Sequence, residues 1–288
     1  MKIQIGGKTI KYNSGRLISA IIGFVILSQV GEIMAGVLVA PTIVFLSDKN
    51  RTGRMTIQNP TNTPKEVFVG ISFGLPQSDS LGNVTLVLQD SGVTDPRSAM
   101  NWVKAFPRKV IIPPNGSQIV RLAANPPPNL PDGEYWAQIV VRSQEGELTV
   151  PQANEAEKIT TRLNMVMQTA IRLKYRTGKL VSELALTKAT ARLMNSKVLV
   201  MVDLANNGNV SYVGKMKCRL LDIDKKEISS NQVDLAVYRS LKRKIELDTE
   251  KGRVPYRVEL TISNEGRNDI PPEAMIPGNK IEYAMKVE

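Results

Sequence analysis

The residues with the clearest capacity for chemistry in this 288-residue sequence lie in one segment, residues 163–176. Its later half carries a cationic side chain at every second position: Arg172, Lys174 and Arg176. Its earlier half carries an apolar side chain at every second position: Leu163, Met165 and Met167. Cationic side chains form short, charge-assisted hydrogen bonds with carboxylates, and apolar side chains favour burial against a partner. The segment could therefore bind an extended apolar partner and hold that partner's terminal carboxylate.

The alternation predicts that this segment is one β-strand, because successive side chains of a strand point to opposite faces. A strand at the edge of a sheet can accept a further strand along its free side. A second interpretation stays open, in which this is a last core strand whose solvated charges protect its edge against aggregation. The two interpretations differ in whether the edge along residues 163–167 is free or covered.

The residue types that are missing exclude most catalytic chemistry. The sequence has no histidine, which removes histidine-based triads and the commonest zinc ligand. Its single cysteine, Cys218, cannot form an intrachain disulfide, and the surrounding run KMKCRLLDI predicts a buried small side chain rather than a nucleophile. No phosphate-binding loop of the GxxxxGK(S/T) kind occurs. We expect no catalytic residue, no metal, no small-molecule cofactor and no enzymatic activity. A carboxylate-dependent hydrolase is the remaining enzyme hypothesis, but scattered acids such as Asp222 and Asp224 indicate solvated turns.

The net charge of +11 does not predict a nucleic-acid partner. A nucleic-acid surface needs a basic stripe interleaved with aromatic side chains, and aromatic residues make up only 5% of this sequence. The charge instead favours solubility and acidic partners.

Residues 1–36 have the pattern of an export signal. Four basic residues precede an apolar run at residues 17–27, and small residues then allow cleavage after Ala35 or Gly36. A retained membrane anchor is the alternative, but the uninterrupted run is short for a bilayer span of about 20 residues. We expect a signal peptide that is removed and a soluble, extracytoplasmic mature protein.

The rest of the chain predicts an all-β fold with two β-sandwiches in series, at residues 37–176 and 177–288. Short runs rich in β-branched and aromatic residues alternate with turn signals such as NPTNTP, PPNGS and ANNGN. Pro41 interrupts the first run, which suits an edge strand or one that switches sheets. In LPDGEYW, we expect the Tyr135 hydroxyl to bond back to nearby backbone, with Trp136 on the opposite face. A plain turn followed by an aromatic strand is the alternative there.

Several stretches of the first half, in order and approximate spacing, resemble the periplasmic pilus-assembly chaperones of the PapD type. They are TIVFL with TGRMTIQNPTNTP, FPRKVIIPPNGSQIVRL, LPDGEYWAQIVVRS and MVMQTAIRLKYR. The second half is similar only in general type and is longer than that family's usual second domain. The resemblance implies a boomerang of two immunoglobulin-like domains. It also implies that the last strand of the first domain is lent to an incomplete pilin subunit, which is a form of β-strand addition.

The resemblance also implies roles for particular residues. The apolar set Leu163, Met165 and Met167 would fill the groove of the subunit. Arg172 occupies the place of the basic residue that holds the subunit's C-terminal carboxylate. Thr42 stands where the family has a second anchoring Arg. Because a hydroxyl carries no charge, either Lys174 or Arg176 would substitute, or the partner's end is bound differently.

These observations lead us to expect a periplasmic chaperone that binds pilin-like or other surface-fibre subunits without ATP. The resemblance adds an outer-membrane usher as a further partner. The alternative is an extracytoplasmic structural or adhesive module of two immunoglobulin-like domains that has no client subunit.

Overall fold

The computed structural model of the protein describes residues 2–5, 8–11, 36–146 and 165–288. The strands β1 (Lys2–Ile5) and β2 (Lys8–Lys11) pair with each other as an antiparallel hairpin. The apolar run at residues 17–27 lies outside the described residues, so the signal peptide stays a prediction. Within the described ranges, no helix has the length and apolar character needed to cross a membrane.

Two sheets that enclose a common core form the first sandwich. Its strands are β3 (Leu38–Ala40), β4 (Ile43–Ser47), β5 (Thr52–Gln58), β6 (Lys65–Ser72), β9 (Val103–Phe106), β10 (Lys109–Ile112), β11 (Ser117–Ala124), β12 (Gly133–Glu145) and β13 (Met167–Thr177). One sheet has the order β10-β6-β12-β13-β4 and the other has the order β3-β5-β11-β9. The core is built from side chains that alternate between the inside and the outside of each strand. In β5, for example, Met55 and Ile57 are buried while Arg54 and Thr56 are exposed.

The chain changes sheets at Pro41. Before it, β3 pairs antiparallel with β5, and after it β4 pairs in parallel with β13 in the other sheet. Proline has no backbone N–H to donate to a ladder, so a break in pairing at this residue has a direct physical cause. The expected switch of sheets is present, and it limits how much of β13 the strand β4 can cover.

The second sandwich is built in the same way from the remaining strands. They are β14 (Leu184–Met194), β15 (Lys197–Asn206), β16 (Tyr212–Leu221), β17 (Glu227–Val237), β18 (Ser240–Asp248), β19 (Arg257–Ser263) and β20 (Ile281–Lys286), with a short 3-10 helix at Pro272–Ala274. The sheets have the orders β14-β15-β18 and β17-β16-β19-β20. Cys218 is fully buried in their core, where burial raises the pKa of its thiol to about 12. This placement agrees with the predicted inert side chain.

The predicted all-β fold with two sandwiches is confirmed, and residues 36–288 form one compact unit. The domain boundary between residues 176 and 177 stays a prediction. One contact was not predicted: a hairpin from the first half, β7 (Pro76–Ser78) and β8 (Val84–Leu86), packs on the second sandwich. The backbone N–H of Lys242 in β18 donates to the Ser78 hydroxyl at 2.8 Å, and Val84 lies against the second core.

The side chains of Tyr135 and Trp136 lie on opposite faces of β12. The Tyr135 hydroxyl donates to the carbonyl oxygen of Pro131 at 2.8 Å, and its ring meets Trp102 edge-on with centroids 6.1 Å apart. Trp136 packs edge-on against Tyr238 of the second half, with centroids 5.1 Å apart. The bond from Tyr135 fixes the turn that leads into β12.

Replacing Tyr135 by phenylalanine should lower the free energy of unfolding by about 0.5–1.5 kcal/mol, because the Pro131 carbonyl loses its intramolecular donor. Urea unfolding at neutral pH measures the change. Tyr283→Phe is the control, since the Tyr283 side chain is about half exposed. Equal stabilities of Tyr135→Phe and the wild type would contradict a stabilising role for the corner.

Candidate functional site

The strand β13 has two neighbours along its second half and one along its first half. It pairs antiparallel with β12 over its whole length, from Met167 to Thr177. The parallel strand β4 covers only Arg172 to Arg176. Among the described residues, no other strand pairs with β13 between Met167 and Ile171. The backbone of this half therefore offers N–H and C=O groups along an open edge, which we call the open edge of β13.

The side chains just before β13 and at its first residue are apolar and exposed. Met165 and Met167 are 52% and 41% exposed, and Val166 is exposed as well. Further along, Ile171 and Leu173 enter the core of the first sandwich. The core-facing row of β13 continues beyond the core through the exposed Thr169 to Met167, and Met165 precedes it in the same alternation. Leu163, the third residue predicted for this role, lies outside the described residues.

Arg172 lies where the open edge ends. Its side chain is 29% exposed, and its guanidinium lies 3.3 Å from a carboxylate oxygen of Asp269. Asp269 is already held by two hydrogen bonds from Arg267, at 2.7 and 2.5 Å, which hold the pKa of its carboxyl at about 2. Two guanidinium groups therefore share Asp269, and Arg267 also lies 4.0 Å from a carboxylate oxygen of Asp234. Arg172 makes the longer contact with Asp269, so its guanidinium can still donate a charge-assisted hydrogen bond to a further carboxylate at its exposed side.

Thr42 lies beside the same point of the strand. The ladder between β4 and β13 begins with Ile43 opposite Arg172, so the residue before Ile43 stands at the end of the open edge. The Thr42 side chain is exposed. A hydroxyl there can donate one hydrogen bond, but it adds no charge.

Lys174 and Arg176 occupy a different environment, and this corrects their predicted role. The Lys174 side chain is 1% exposed, and its ammonium lies 3.2 Å from Glu134. The Arg176 guanidinium donates to the other oxygen of Glu134 at 2.9 Å and to the Ala274 carbonyl at 2.5 Å. Because both side chains are largely buried and are held against Glu134, neither is placed to substitute for the missing Arg in anchoring a partner.

Glu134, which the sequence analysis did not single out, holds these two cations. Its carboxylate is fully buried and accepts hydrogen bonds from the Trp136 indole at 2.7 Å and the Ser211 hydroxyl at 2.5 Å, besides the two cations. Burial alone would raise the pKa of Glu134, but Lys174 and Arg176 outweigh it and hold the pKa at about 2. Burial lowers the pKa of Lys174, and Glu134 opposes that shift. The sequence did contain a signal, since Glu134 falls opposite Arg176 when β12 and β13 pair.

This buried cluster joins the two halves of the molecule. Ser211 and Ala274 belong to the second half, whereas Glu134, Lys174 and Arg176 belong to the first. The backbone N–H of Glu134 also donates to Asn209 O at 2.9 Å. The cationic half of β13 is thus fixed from both sides, while its apolar half is not.

No family model and no curated protein matches the chain. Similar solved structures include the CupB2 chaperone of Pseudomonas aeruginosa, 14% identical, with 87% of this chain and 100% of that chain covered and a TM-score of 0.41. The chaperone DraB of E. coli is 12% identical, with coverage of 86% and 95% and a TM-score of 0.40. The CsuC–CsuE chaperone–tip adhesion subunit complex of Acinetobacter baumannii gives a match at 16% identity, with coverage of 73% and 91% and a TM-score of 0.38. Each of these contains a chaperone, the class of protein that the sequence resembles.

The buried cluster predicts how stability depends on pH. Folding depresses the pKa of Glu134 from 4.5 to about 2, so its contribution is present above pH 4.5 and is lost as the pH falls towards 2. The loss from this group alone is about 3 kcal/mol across that window. Urea unfolding of the wild type and Glu134→Gln between pH 2 and 7 should give a stability difference that shrinks below pH 4.5.

Exposed Glu273→Gln is the control, and its stability difference from the wild type should stay small at every pH. Glu134→Gln leaves Lys174 buried without its main counter-ion, which is strongly destabilising, so a second variant is measured beside it. The double variant Glu134→Gln/Lys174→Met removes both charges and should recover part of the lost stability. A pH-independent difference between Glu134→Gln and the wild type would refute the assignment.

Proposed function

We propose that this protein is an exported, ATP-independent chaperone that binds pilin-like or surface-fibre subunits by lending them the open edge of β13. The observation that carries the proposal is the one-sided pairing of β13 between Met167 and Ile171, beside exposed apolar side chains. Such an edge is an aggregation hazard that most proteins cover. An exposed edge next to an apolar row instead suits a protein that completes another protein's sheet.

The two halves of β13 have different tasks in this proposal. The subunit adds a strand along Met167–Ile171, so that its backbone pairs with the open ladder. Met165 and Met167 then enter the subunit's apolar groove, and Leu163 is expected to extend that row. The second half of β13, held by β4 and by the buried Glu134 cluster, keeps the lent half in one position and lowers the ordering cost of binding.

Magnitudes indicate why an anchor is needed in addition to apolar contacts. Burying Met165 and Met167 contributes about 1.5–3 kcal/mol each, and a charge-assisted bond from Arg172 contributes about 1.5–3 kcal/mol. Association costs on the order of 4–15 kcal/mol. Side chains and anchor together therefore do little more than offset the cost of association, and the backbone ladder must supply the remaining affinity.

Arg172 is the anchor for the subunit's terminal carboxylate in this proposal. It is the exposed cation of β13 nearest the open edge, and it shares Asp269 with Arg267. Thr42 lies next to it and can donate a hydrogen bond to the same carboxylate. Lys174 is left out, because its ammonium is buried against Glu134.

Replacing both Met165 and Met167 by arginine should abolish binding of a subunit. The double variant Met165→Arg/Met167→Arg loses two apolar contacts, which corresponds to a more than 100-fold weaker affinity. Pull-down from a periplasmic extract followed by mass spectrometry measures recovery of the subunit, with thermal unfolding as a check on the fold. Met194→Arg is the matched control, because Met194 is a similarly exposed methionine on β14.

Undiminished recovery with the double variant would refute the use of this edge. If the wild-type protein itself recovers no subunit, the alternative of a structural or adhesive module gains support.

The anchor can be tested with the subunit recovered in that pull-down. Arg172→Gln should weaken its binding by about 10- to 100-fold, because a charge-assisted hydrogen bond is lost. The same substitution should have little effect on a semisynthetic subunit whose C-terminal carboxylate is amidated. Titration calorimetry of the wild type and Arg172→Gln, each with the natural and the amidated subunit, gives the coupling energy between Arg172 and the carboxylate. An equal loss of affinity for both subunits would place the anchor elsewhere.

A further inference from the structure

A second exposed surface lies on the other sheet of the first sandwich, away from β13. We call it the outer face, and it comprises the outward positions of β3, β5, β11 and β9. They are Leu38, Ala40, Thr52, Arg54, Thr56, Gln58, Lys104, Phe106, Ser117, Ile119, Arg121 and Ala123. Every one of these twelve residues is exposed, and none of them is acidic.

The arrangement of charges on the outer face is unfavourable for the stability of the fold. Arg54 and Arg121 lie directly opposite each other on β5 and β11. Like charges at opposite positions of neighbouring strands destabilise a sheet. Lys104 adds a third cation one row away, opposite Ala123. Because no acid on this face compensates the three cations, folding alone does not explain them.

Apolar side chains lie among these cations. Phe106 is opposite Arg121, and Ile119 lies one row away on the same strand as Arg121. Leu38 is on β3, at the edge of the sheet, and all three apolar side chains are about half exposed. A flat surface that mixes cations with an aromatic and aliphatic side chains has both components that bind anionic membranes.

We propose that the outer face binds an anionic lipid surface. The face presents cations and no acid, with Arg54 and Arg121 on its middle strands, and an anionic membrane presents the opposite charge across its whole surface. Phospholipid headgroups can meet both guanidinium groups without burying them. The edge strand of this face, β3, also follows closely after the apolar run at residues 17–27. If that run is retained in the membrane, an extended linker would hold Leu38 within about 40 Å of the bilayer.

The surface is independent of the proposed chaperone function, because the open edge of β13 belongs to the other sheet. Failure of the subunit-binding experiments would leave this proposal standing, and the reverse also holds.

Co-sedimentation with vesicles tests the proposal, using protein purified from the cell envelope with its N-terminus determined by mass spectrometry. Vesicles of phosphatidylglycerol and phosphatidylcholine in equal parts are compared with vesicles of pure phosphatidylcholine, at 50 and 500 mM NaCl. We expect binding to the anionic vesicles in excess of the neutral ones, and loss of that excess at high salt. Arg54→Gln/Arg121→Gln should lower the excess by about 30-fold.

Lys217→Gln/Arg257→Gln is the matched control, because it removes two exposed cations from the second sandwich. It should leave binding close to that of the wild type. A retained N-terminal segment would itself add to the excess through its four basic residues, so each double variant is compared with a wild type that has the same N-terminus, and only the difference between them reports on the face.

The proposal is overturned if the wild type shows no excess binding to anionic vesicles, or if the two double variants lose binding equally. Recovery of an acidic protein from the envelope by the wild type, but not by Arg54→Gln/Arg121→Gln, without vesicle binding, would assign the face to a protein partner instead. Thermal unfolding of both variants checks that the sheet is intact, and removal of the opposed arginines should not lower its stability.

Discussion

The organisation of this molecule depends on how far β4 runs beside β13. Pro41 ends the pairing of β3 with one sheet, and the chain joins the other sheet only from Ile43 onward. As a result β4 reaches only the second half of β13, and the first half keeps an open side. A break of two residues, Pro41 and Thr42, therefore sets the length of edge available about 130 residues later.

The buried carboxylate of Glu134 holds the second half of β13 in place. It gathers Lys174 and Arg176 from β13 and Ser211 from the second half into one cluster. Removing such charges from water is costly, and the cluster is tolerable only because several hydrogen bonds satisfy the carboxylate. Removing one partner of such a cluster leaves a buried charge uncompensated and is strongly destabilising. Here the cluster fixes the second half of β13 between the two sandwiches, so the exposed half extends from a rigid base.

Patterns within short segments predicted the elements well, and contacts between distant segments were harder to predict. The alternation of β13, the break at Pro41 and the turn before Tyr135 each depend on a few neighbouring residues, and the structure contains all three. Lys174 and Arg176 have the same spacing as Arg172, yet Arg172 is the most exposed of the three, because the second half of the molecule covers more of the other two. That cover depends on Ser211 and Ala274, which are remote in sequence. The packing of the β7–β8 hairpin on β18 was missed for the same reason.

The position of Arg172 reconciles the two interpretations of the cationic half of β13. A charge beside an open edge discourages a second copy of the same protein from pairing there, because the two cations would meet. The same charge favours a partner that brings a carboxylate to that position. Since Asp269 is shared with Arg267, it neutralises Arg172 only in part and leaves both effects in place. Protection of the edge and choice of partner are therefore compatible roles for one guanidinium, and the open edge can remain exposed without being equally open to every strand.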